Sequence, residues 1–211
     1  MSKKAHEHIG FSFLPPTLYA PQTSGDYRHI SVRTLLPEGT QPVLELTLNG
    51  QPYHGELISL HTHGTGGLLW LEDAFAETYA GPWPALLAVR YVKDGIVVDE
   101  GPFQLRDPRT ATPHRLEPSV VPEAIRPPRP GEPASLTCDA RFFDSNGIPV
   151  SSRGLEWEVI LPHPRPGVRV VDGHRIEVTH EAQPGVVAVW IRERSGIEAM
   201  AAFSVLRDPD A

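Results

Sequence analysis

The sequence predicts an all-β chain built from two β-sandwiches in tandem. The first observation is that 23 prolines and 18 glycines are spread over 211 residues between short apolar runs, which is typical of many short strands joined by turns. The second is that the C-terminal half contains six or seven such runs within about 95 residues, the strand density of a sandwich. The third is that the N-terminal half repeats the same order of strands and turns. The length alone would also suit one large β domain.

The last two strands are the clearest elements of the pattern. In residues 186–192, Val187, Val189 and Ile191 alternate with other residues, so the period of two places them on one face. A short turn around Gly196 leads to a second strand at 197–206, which predicts a hairpin.

Upstream strands of the C-terminal half are bounded by turn residues. A strand ends before Asn146-Gly147, where glycine supplies the positive φ of a tight turn. An Asp172-Gly173 turn separates two further short strands. The predicted strands of this half are 135–143, 155–161, 168–171 and 176–180.

The N-terminal half shows a similar series. One strand ends at Asn49-Gly50, and a turn at Asp94-Gly95 joins the last two strands of this half. The segment 11–36 is longer than a single first strand requires, so we expect an additional strand or loop in it. The predicted strands are 42–48, 56–60, 68–71, 85–92 and 96–105.

A comparison of the chain with itself supports two similar domains. Residues of the same type recur 100 positions apart, and the apolar faces of the two last hairpins also correspond. Two unrelated β-rich segments with similar turn chemistry would give part of the same signal. The matching pairs include Gly67 with Gly167, Pro84 with Pro184, Val89 with Val189 and Phe103 with Phe203.

The domain boundaries follow from composition. Residues 1–9 are predicted to be a tail, and residues 10–108 form the first sandwich. Residues 109–115 are polar and marked by proline, which predicts a short, stiff linker. Residues 116–208 form the second sandwich.

Charge and cysteine content limit the possible partners and compartments. The net charge of −7 argues against general nucleic-acid binding, which needs a basic surface. Cys138 is the only cysteine, so no intramolecular disulfide forms, as suits a reducing compartment. No apolar run has the length of a signal peptide or of a membrane helix. We therefore expect a soluble, cytoplasmic protein without membrane insertion; a protein carried on an exported particle would look the same.

Four short motifs follow one another in the second half. They are a D-x-N-G-x-P-V turn, a tryptophan-bearing strand, a G-V-x-V strand and an A-x-P-G turn before the penultimate strand. The residues that carry them are Asp144, Asn146, Gly147, Pro149 and Val150, then Trp157-Glu158-Val159, then Gly167-Val168-Arg169-Val170, then Ala182, Pro184 and Gly185.

In this order and spacing, residues 116–207 resemble the bacterial immunoglobulin-like domains of the invasin and intimin type. The resemblance implies two tandem immunoglobulin-like β-sandwiches, with the first diverging more from the family pattern. It also implies a non-catalytic module for adhesion, spacing or particle decoration, with no catalytic residues to carry over. The chain departs from exported members, since it shows neither a signal peptide nor a membrane anchor and has only two domains.

Histidines in the first half suggest a metal site. His61 and His63 are two apart, which on a strand points both side chains to one face, as a divalent metal needs. His54 lies upstream across a possible hairpin, and Glu56 or Asp73 could complete the ligands. The competing interpretation is a surface loop in which paired histidines have no ligand.

Three aromatic residues of the first half are candidates for partner binding. Trp70, Tyr79 and Trp83 lie close in sequence, and an exposed aromatic cluster would mark a protein-binding or glycan-binding surface. Core packing, including a tyrosine-corner position for Tyr79, is the alternative.

No motif predicts catalysis or a cofactor. The sequence has no G-x-S-x-G, no H-E-x-x-H and no lysine-bearing phosphate loop, and Cys138 is expected to be a buried, inert thiol. The leading hypothesis is a non-enzymatic protein–protein interaction or structural module, one possible setting being a phage-like or secretion particle. The alternatives are a glycan-binding adhesin module using the three aromatic residues and a small metal-dependent enzyme using the three histidines.

Overall fold

A computed structural model describes residues 10–34, 43–54, 56–60 and 66–207 of the chain. The chain divides into two compact units, Met1–Thr112 with Ile148–Ser151 and Pro113–Gly147 with Ser152–Ala211. In the described residues the secondary structure is almost entirely β-strand. The all-β prediction is therefore confirmed.

The described residues of the first unit form two sheets and one short helix. The elements are β1 (Phe11–Leu14), β2 (Leu18–Tyr19), β3 (His29–Thr34), β4 (Val43–Leu48), β5 (Gln51–Pro52), β6 (Glu56–Leu60), β7 (Gly66–Trp70), α1 (Phe75–Thr78), β8 (Ala85–Lys93) and β9 (Ile96–Arg106). The two sheets have the strand orders β1-β3-β7-β6 and β2-β9-β8-β4-β5.

The start of the chain crosses between these two sheets. β1 runs antiparallel to β3, whereas β2, only a few residues later, runs parallel to the end of β9. An initial strand shared between two antiparallel sheets, with the last hairpin in the second sheet, is an immunoglobulin-like arrangement. Residues 11–34, the described part of the segment predicted to hold an additional strand or loop, thus supply β1, β2 and β3.

The second unit has the same arrangement. Its strands are β10 (Arg115–Val121), β11 (Ala124–Ile125), β12 (Ala134–Phe143), β14 (Trp157–Ile160), β15 (Val168–Val171), β16 (Arg175–Val178), β17 (Gly185–Glu193) and β18 (Glu198–Val205), and the short β13 (Pro149–Val150) between β12 and β14 lies in the segment grouped with the first unit. The sheets of the second unit have the orders β10-β12-β16-β15 and β11-β18-β17-β14, and β11 is again parallel to the last strand.

Each unit has its own apolar core, formed by alternate residues of its strands. Strand geometry sends successive side chains to opposite faces, and the residues facing inward are the apolar ones. Core residues of the first unit include Leu18, Ile30, Leu69, Leu87 and Phe103, and those of the second include Leu136, Ile176, Val189, Ile191 and Phe203.

The lag of 100 residues corresponds to a shared strand register. Val89 lies opposite Gly101 in the first unit, and Val189 lies opposite Ala201 in the second. The neighbouring pairs, Leu87 with Phe103 and Val187 with Phe203, also correspond. The two halves therefore form their last hairpins in the same way.

The predicted turns adopt the expected backbone. Asn49 and Gly50 have φ values of 49° and 79°, and Gly147 has φ 76°, the left-handed conformations that asparagine and glycine tolerate best. Asp144 accepts a hydrogen bond from the Asn146 backbone N–H at 2.8 Å, which closes the second of these turns.

After β9 the chain makes one 3₁₀ turn, Pro108–Thr110. The Asp107 carboxylate accepts hydrogen bonds from the Arg109 backbone N–H at 3.0 Å and from the Arg109 Nη2 at 2.8 Å. These contacts with Arg109 hold the pKa of the Asp107 carboxyl below its usual value. Among the described residues, no helix has the length and apolar character needed to cross a bilayer.

Candidate functional site

The predicted aromatic candidates fall into two separate groups in the first unit. Trp70 is on the outer face of β7, because its neighbour Leu69 points into the core. β7 pairs with β3 so that His29 lies opposite Trp70. The Tyr27 and His29 ring centroids are 4.1 Å apart, and those of His29 and Trp70 are 5.4 Å apart. We call the residues Tyr27, His29 and Trp70 the Trp70 row.

An ion pair borders the Trp70 row. The Arg28 guanidinium carbon lies 5.4 Å from the centre of a Trp70 ring, within the range of a cation–π contact. Arg28 also forms an ion pair with Asp73. The backbone N–H of Leu71 donates to the Arg28 carbonyl at 2.9 Å, so the segments just before β3 and just after β7, which carry Arg28 and Asp73, are held together.

The exposed end of the Trp70 row is Tyr27. This residue is 39% exposed, and partial burial raises the pKa of its hydroxyl above 10.0. The phenol is therefore a neutral hydrogen-bond donor and acceptor at neutral pH. Trp70 Nε1 is buried and has no hydrogen-bond partner among the described residues. The row thus combines aromatic surface, two opposite charges and polar groups.

Tyr79 and Trp83 belong to the second group, which surrounds the buried Phe75 of α1. The Tyr79 ring stacks on Phe75 with centroids 5.3 Å apart, and the centroids of Trp83 and Tyr79 are 4.8 Å apart. Tyr53 meets Phe75 edge-on at 6.0 Å, and burial raises the pKa of Tyr53 to about 12. These four rings pack against the core of the first unit.

The Tyr79 hydroxyl ties this group to two turns. It donates to the Pro82 carbonyl at 2.8 Å and accepts from Asn49 Nδ2 at 2.5 Å. Asn49 Oδ1 in turn accepts from the Leu86 backbone N–H at 2.9 Å. A tyrosine corner bonds to backbone upstream of the tyrosine, whereas Tyr79 bonds to a carbonyl three residues downstream. Most of the Tyr79 and Trp83 surface thus contacts the protein itself.

The structure therefore brings Tyr79 and Trp83 together, and no ring contact joins Trp70 to either of them in the described part of the chain. The sequence pattern missed Tyr27, Arg28 and His29 as neighbours of Trp70. Tyr27 and His29 are two residues apart, which is the spacing of one strand face, but residues 11–36 offered no alternation regular enough to assign β3.

The predicted metal site involves residues that the structure describes only in part. His54 is exposed, whereas His61 and His63 lie outside the described residues. Asp73, a candidate ligand, is paired with Arg28. Within the described ranges no three histidine, cysteine or acidic side chains form a group suited to a metal ion. The site built on His54, His61 and His63 stays a prediction.

Cys138 occupies an interior position of β12. Its side chain is 2% exposed, and burial raises the pKa of the thiol from 9.0 to about 11. Since the thiolate is the reactive form, the folded state disfavours reaction at this residue.

No protein-family model matches the sequence, and no curated protein sequence does. Solved structures similar to the chain include a β-glycosidase from Bacteroides vulgatus, with 16% identity over 96% of this chain and 25% of that one, and a TM-score of 0.36. The Yersinia pseudotuberculosis adhesin InvE is 15% identical over 96% of this chain and 60% of its own, with a TM-score of 0.32. The Ig1–2 module of the Drosophila receptor protein tyrosine phosphatase DLAR is 12% identical over 93% of this chain and 97% of its own, with a TM-score of 0.33. The chain thus spans a quarter of the glycosidase and 60% of the adhesin.

Proposed function

We propose that the chain is a non-enzymatic binding module that contacts a protein partner through the Trp70 row of its first unit. The observation that carries this proposal is the line of adjacent rings, Tyr27, His29 and Trp70, on the outer face of the β1-β3-β7-β6 sheet. These residues bind the partner through non-covalent contacts and catalyse no reaction.

The composition of the row supports protein recognition. Tyrosine, tryptophan and arginine are the residue types that contribute most to binding energy at protein interfaces, and all three are adjacent here. Strand pairing of His29 with Trp70 holds two of the rings on rigid elements, so little conformational entropy is lost on binding. The Arg28–Asp73 ion pair at the border adds directional polar contacts.

The proposal is tested by comparing the proteins that the full chain and its Tyr27→Ala variant retain from extracts of the native host. Tyr27 is only 39% exposed and its ring contacts His29, so the substitution is expected to cost about 1 kcal/mol of unfolding free energy and to abolish retention of the specific partner. Leu86→Ala is the matched control, because Leu86 is also exposed but lies on β8 of the other sheet. Equal retention of the same partner by wild type and Tyr27→Ala would contradict the proposal.

A glycan is the second candidate ligand of the same row. Partly exposed ring faces bordered by an arginine and a carboxylate also suit a sugar, whose apolar face stacks on aromatic rings while its hydroxyls bond to the charges. A glycan array probed with wild type and with Tyr27→Ala distinguishes the two ligands. Binding to defined glycans that Tyr27→Ala loses would favour the glycan-binding module; no binding would favour the protein partner.

The setting in which the module acts is a finer proposal. We propose that it decorates a phage-like or secretion particle, one of the roles that the resemblance of residues 116–207 to invasin-type domains implies. Quantitative immunoblotting of purified particles and of cytosol from the native host tests this. Enrichment with particles is expected, and recovery of the chain only in particle-free cytosol would contradict the setting.

A further inference from the structure

We propose that the second unit also binds an extended segment of a partner protein along the free edge of β18, in a groove beside β10. In this complex the backbone of the segment pairs with Met200 and Ala202. One apolar side chain of the segment enters the groove, and a lysine or arginine lies beside Glu123. This site goes beyond the Trp70 row and does not depend on it.

The first supporting feature is an incompletely paired edge strand. β18 pairs with β17 along its length, but on its other side β11 covers only Ser204 and Val205. Ser204 donates its backbone N–H to the Glu123 carbonyl on that side at 2.9 Å. Because the direction of the N–H groups alternates along a strand, Met200 and Ala202 point theirs to the same side. No described strand pairs with them there.

The second feature is the groove that runs along this edge. Its volume is about 380 Å³, which falls in the range of about 300–1,000 Å³ typical of ligand sites. Val186 and Met200 at this sheet face are 62% and 58% exposed. Residues that line the groove include Pro118, Ser119, Glu123, Val186, Ala202 and Ser204.

In the first unit a side chain of the protein itself, Phe11, fills the groove that is equivalent to this one. β1 ends just before Pro15, as β10 ends just before Pro122, so Phe11 corresponds to Pro118. Phe11 packs directly on Gly101, and a Cβ at Gly101 would overlap the Phe11 side chain. Gly101 corresponds to Ala201 of the second unit. An aromatic side chain thus fills the groove of the first unit. In the second unit the Ala201 Cβ takes part of that space, and Pro118, which stands in place of Phe11, leaves the rest of the groove open.

The first unit also closes the edge of β9 against further pairing. Pro102 occupies the position that corresponds to Ala202, and proline has no N–H to offer an incoming strand. The Thr17 hydroxyl donates to the Gln104 carbonyl at 3.1 Å, which satisfies the next acceptor along this edge. Edge protection of this kind prevents association through strand edges. The second unit has alanine where the first has this proline.

These differences define the chemistry of the occupant. Unpaired backbone groups at Met200 and Ala202 require an extended chain, as in recognition by strand addition. Because an apolar side chain fills the equivalent groove of the first unit, we expect an apolar side chain of the segment beside Ala201. The Glu123 side chain is exposed and has no ion-pair partner among the described residues, so a basic residue of the segment complements it.

The test uses the full chain and a synthetic peptide, Gly-Phe-Ser-Phe-Leu-Lys, which joins the sequence of residues 10–14 to a lysine. Backbone amide resonances of the full chain are followed by NMR as the peptide is added up to about 1 mM. We expect saturable shifts that are largest at Met200 and Ala202. A peptide with aspartate in place of its first phenylalanine is expected to bind at least about tenfold more weakly, because a charge would enter the apolar groove.

Two variants locate the site. Ala202→Pro removes the proposed donor and is expected to weaken peptide binding about tenfold, the scale of one lost hydrogen bond with its steric consequences. The fold tolerates proline there, since Pro102 is at the equivalent position, so an unchanged melting temperature verifies that the variant is intact. Pro102→Ala is the matched control and is expected to leave peptide binding unchanged, because Phe11 still fills the groove of the first unit.

Three results would overturn the proposal. The first is that no shift occurs at Met200 and Ala202 at the highest peptide concentration. The second is that Ala202→Pro binds the peptide as wild type does. The third is that these two amides shift with protein concentration in the absence of peptide, which would identify a second copy of the chain as the occupant.

Discussion

At the scale of single residues, the Cys138 thiol has a pH-dependent effect on stability. Burial raises its pKa from 9.0 to about 11, so the folded state holds the thiol proton more tightly than the unfolded state does. The resulting stabilisation is complete below pH 9 and is lost as the pH rises towards 11. We expect the wild type to lose roughly 2–3 kcal/mol of unfolding free energy across this interval through Cys138.

Denaturant unfolding of wild type and Cys138→Ala at a series of pH values measures this effect. The alanine variant should show a shallower fall between pH 9 and pH 11, while the contribution of Tyr53 is common to both. Parallel falls in the two proteins, or rapid modification of Cys138 by a thiol reagent at neutral pH in the native state, would show that the thiol is not buried as described.

The residue types in the sequence predicted only part of the candidate site, because the contacts between its residues depend on strand pairing. Trp70 was identified from its type and from its neighbours in the sequence, but its contacts come from strand pairing. His29 lies opposite Trp70 because of the β3–β7 register, and a register between strands 41 residues apart leaves no local signal in sequence. The same limit applies to Tyr79, whose partner Asn49 is in another turn.

At the scale of single elements, two glycines that flank β15 provide a matched test of steric constraint. Gly167 and Gly173 both have φ 71°, so an alanine at either position meets the same backbone strain. A Cβ at Gly167 would also overlap the backbone of Ala182, whereas nothing lies within 4 Å of a Cβ at Gly173. We expect Gly173→Ala to cost about 1 kcal/mol of unfolding free energy and Gly167→Ala to cost at least about 3 kcal/mol.

Urea unfolding of both variants gives the comparison. Equal losses for Gly167→Ala and Gly173→Ala would mean that the turn before β15 does not approach residues 181–182 as closely as the structure shows.

The Asn49 side chain offers a second test at this scale. Asn49→Gly keeps the left-handed backbone of the turn but removes the hydrogen bonds to Leu86 and Tyr79. We expect a loss of about 1–2 kcal/mol in unfolding free energy. Asp94→Gly is the control, because Asp94 has a similar φ of 54° in the β8–β9 turn and its substitution should change stability by less than about 0.5 kcal/mol.

Thermal or urea unfolding measures both turn variants. If Asn49→Gly is as stable as wild type, the side chain of Asn49 does not join the β4–β5 turn to β8 and α1 as described.

Strands in which apolar and other residues alternate regularly were predicted most accurately. The strand predicted at 168–171 coincides with β15, and the one predicted at 186–192 differs from β17 by one residue at each end. The two-residue strands β2, β5, β11 and β13 are too short to show a period of two. β1 and β3 were not assigned separately, because polar residues and prolines interrupt residues 11–36.

At the scale of the whole molecule, the repeat accounts for both the similarity and the difference between the two units. Shared register in the last hairpins gives each unit a core around Phe103 or Phe203. The two units differ at the edge of their last strand, where the first has Phe11 and Pro102 and the second has Pro118 and Ala202. The edge of β18 in the second unit therefore departs from the arrangement of the first.

Each half of the chain forms its own immunoglobulin-like sandwich, and the most direct test of this is an NOE spectrum of the full chain. We expect contacts of Leu18 with Leu105 and of Leu87 with Phe103 in the first unit. In the second unit we expect contacts of Ala124 with Ser204 and of Val187 with Phe203. A ladder of NOEs that pairs β8 or β9 with β17 or β18 would contradict it, since the halves would then form one merged sandwich.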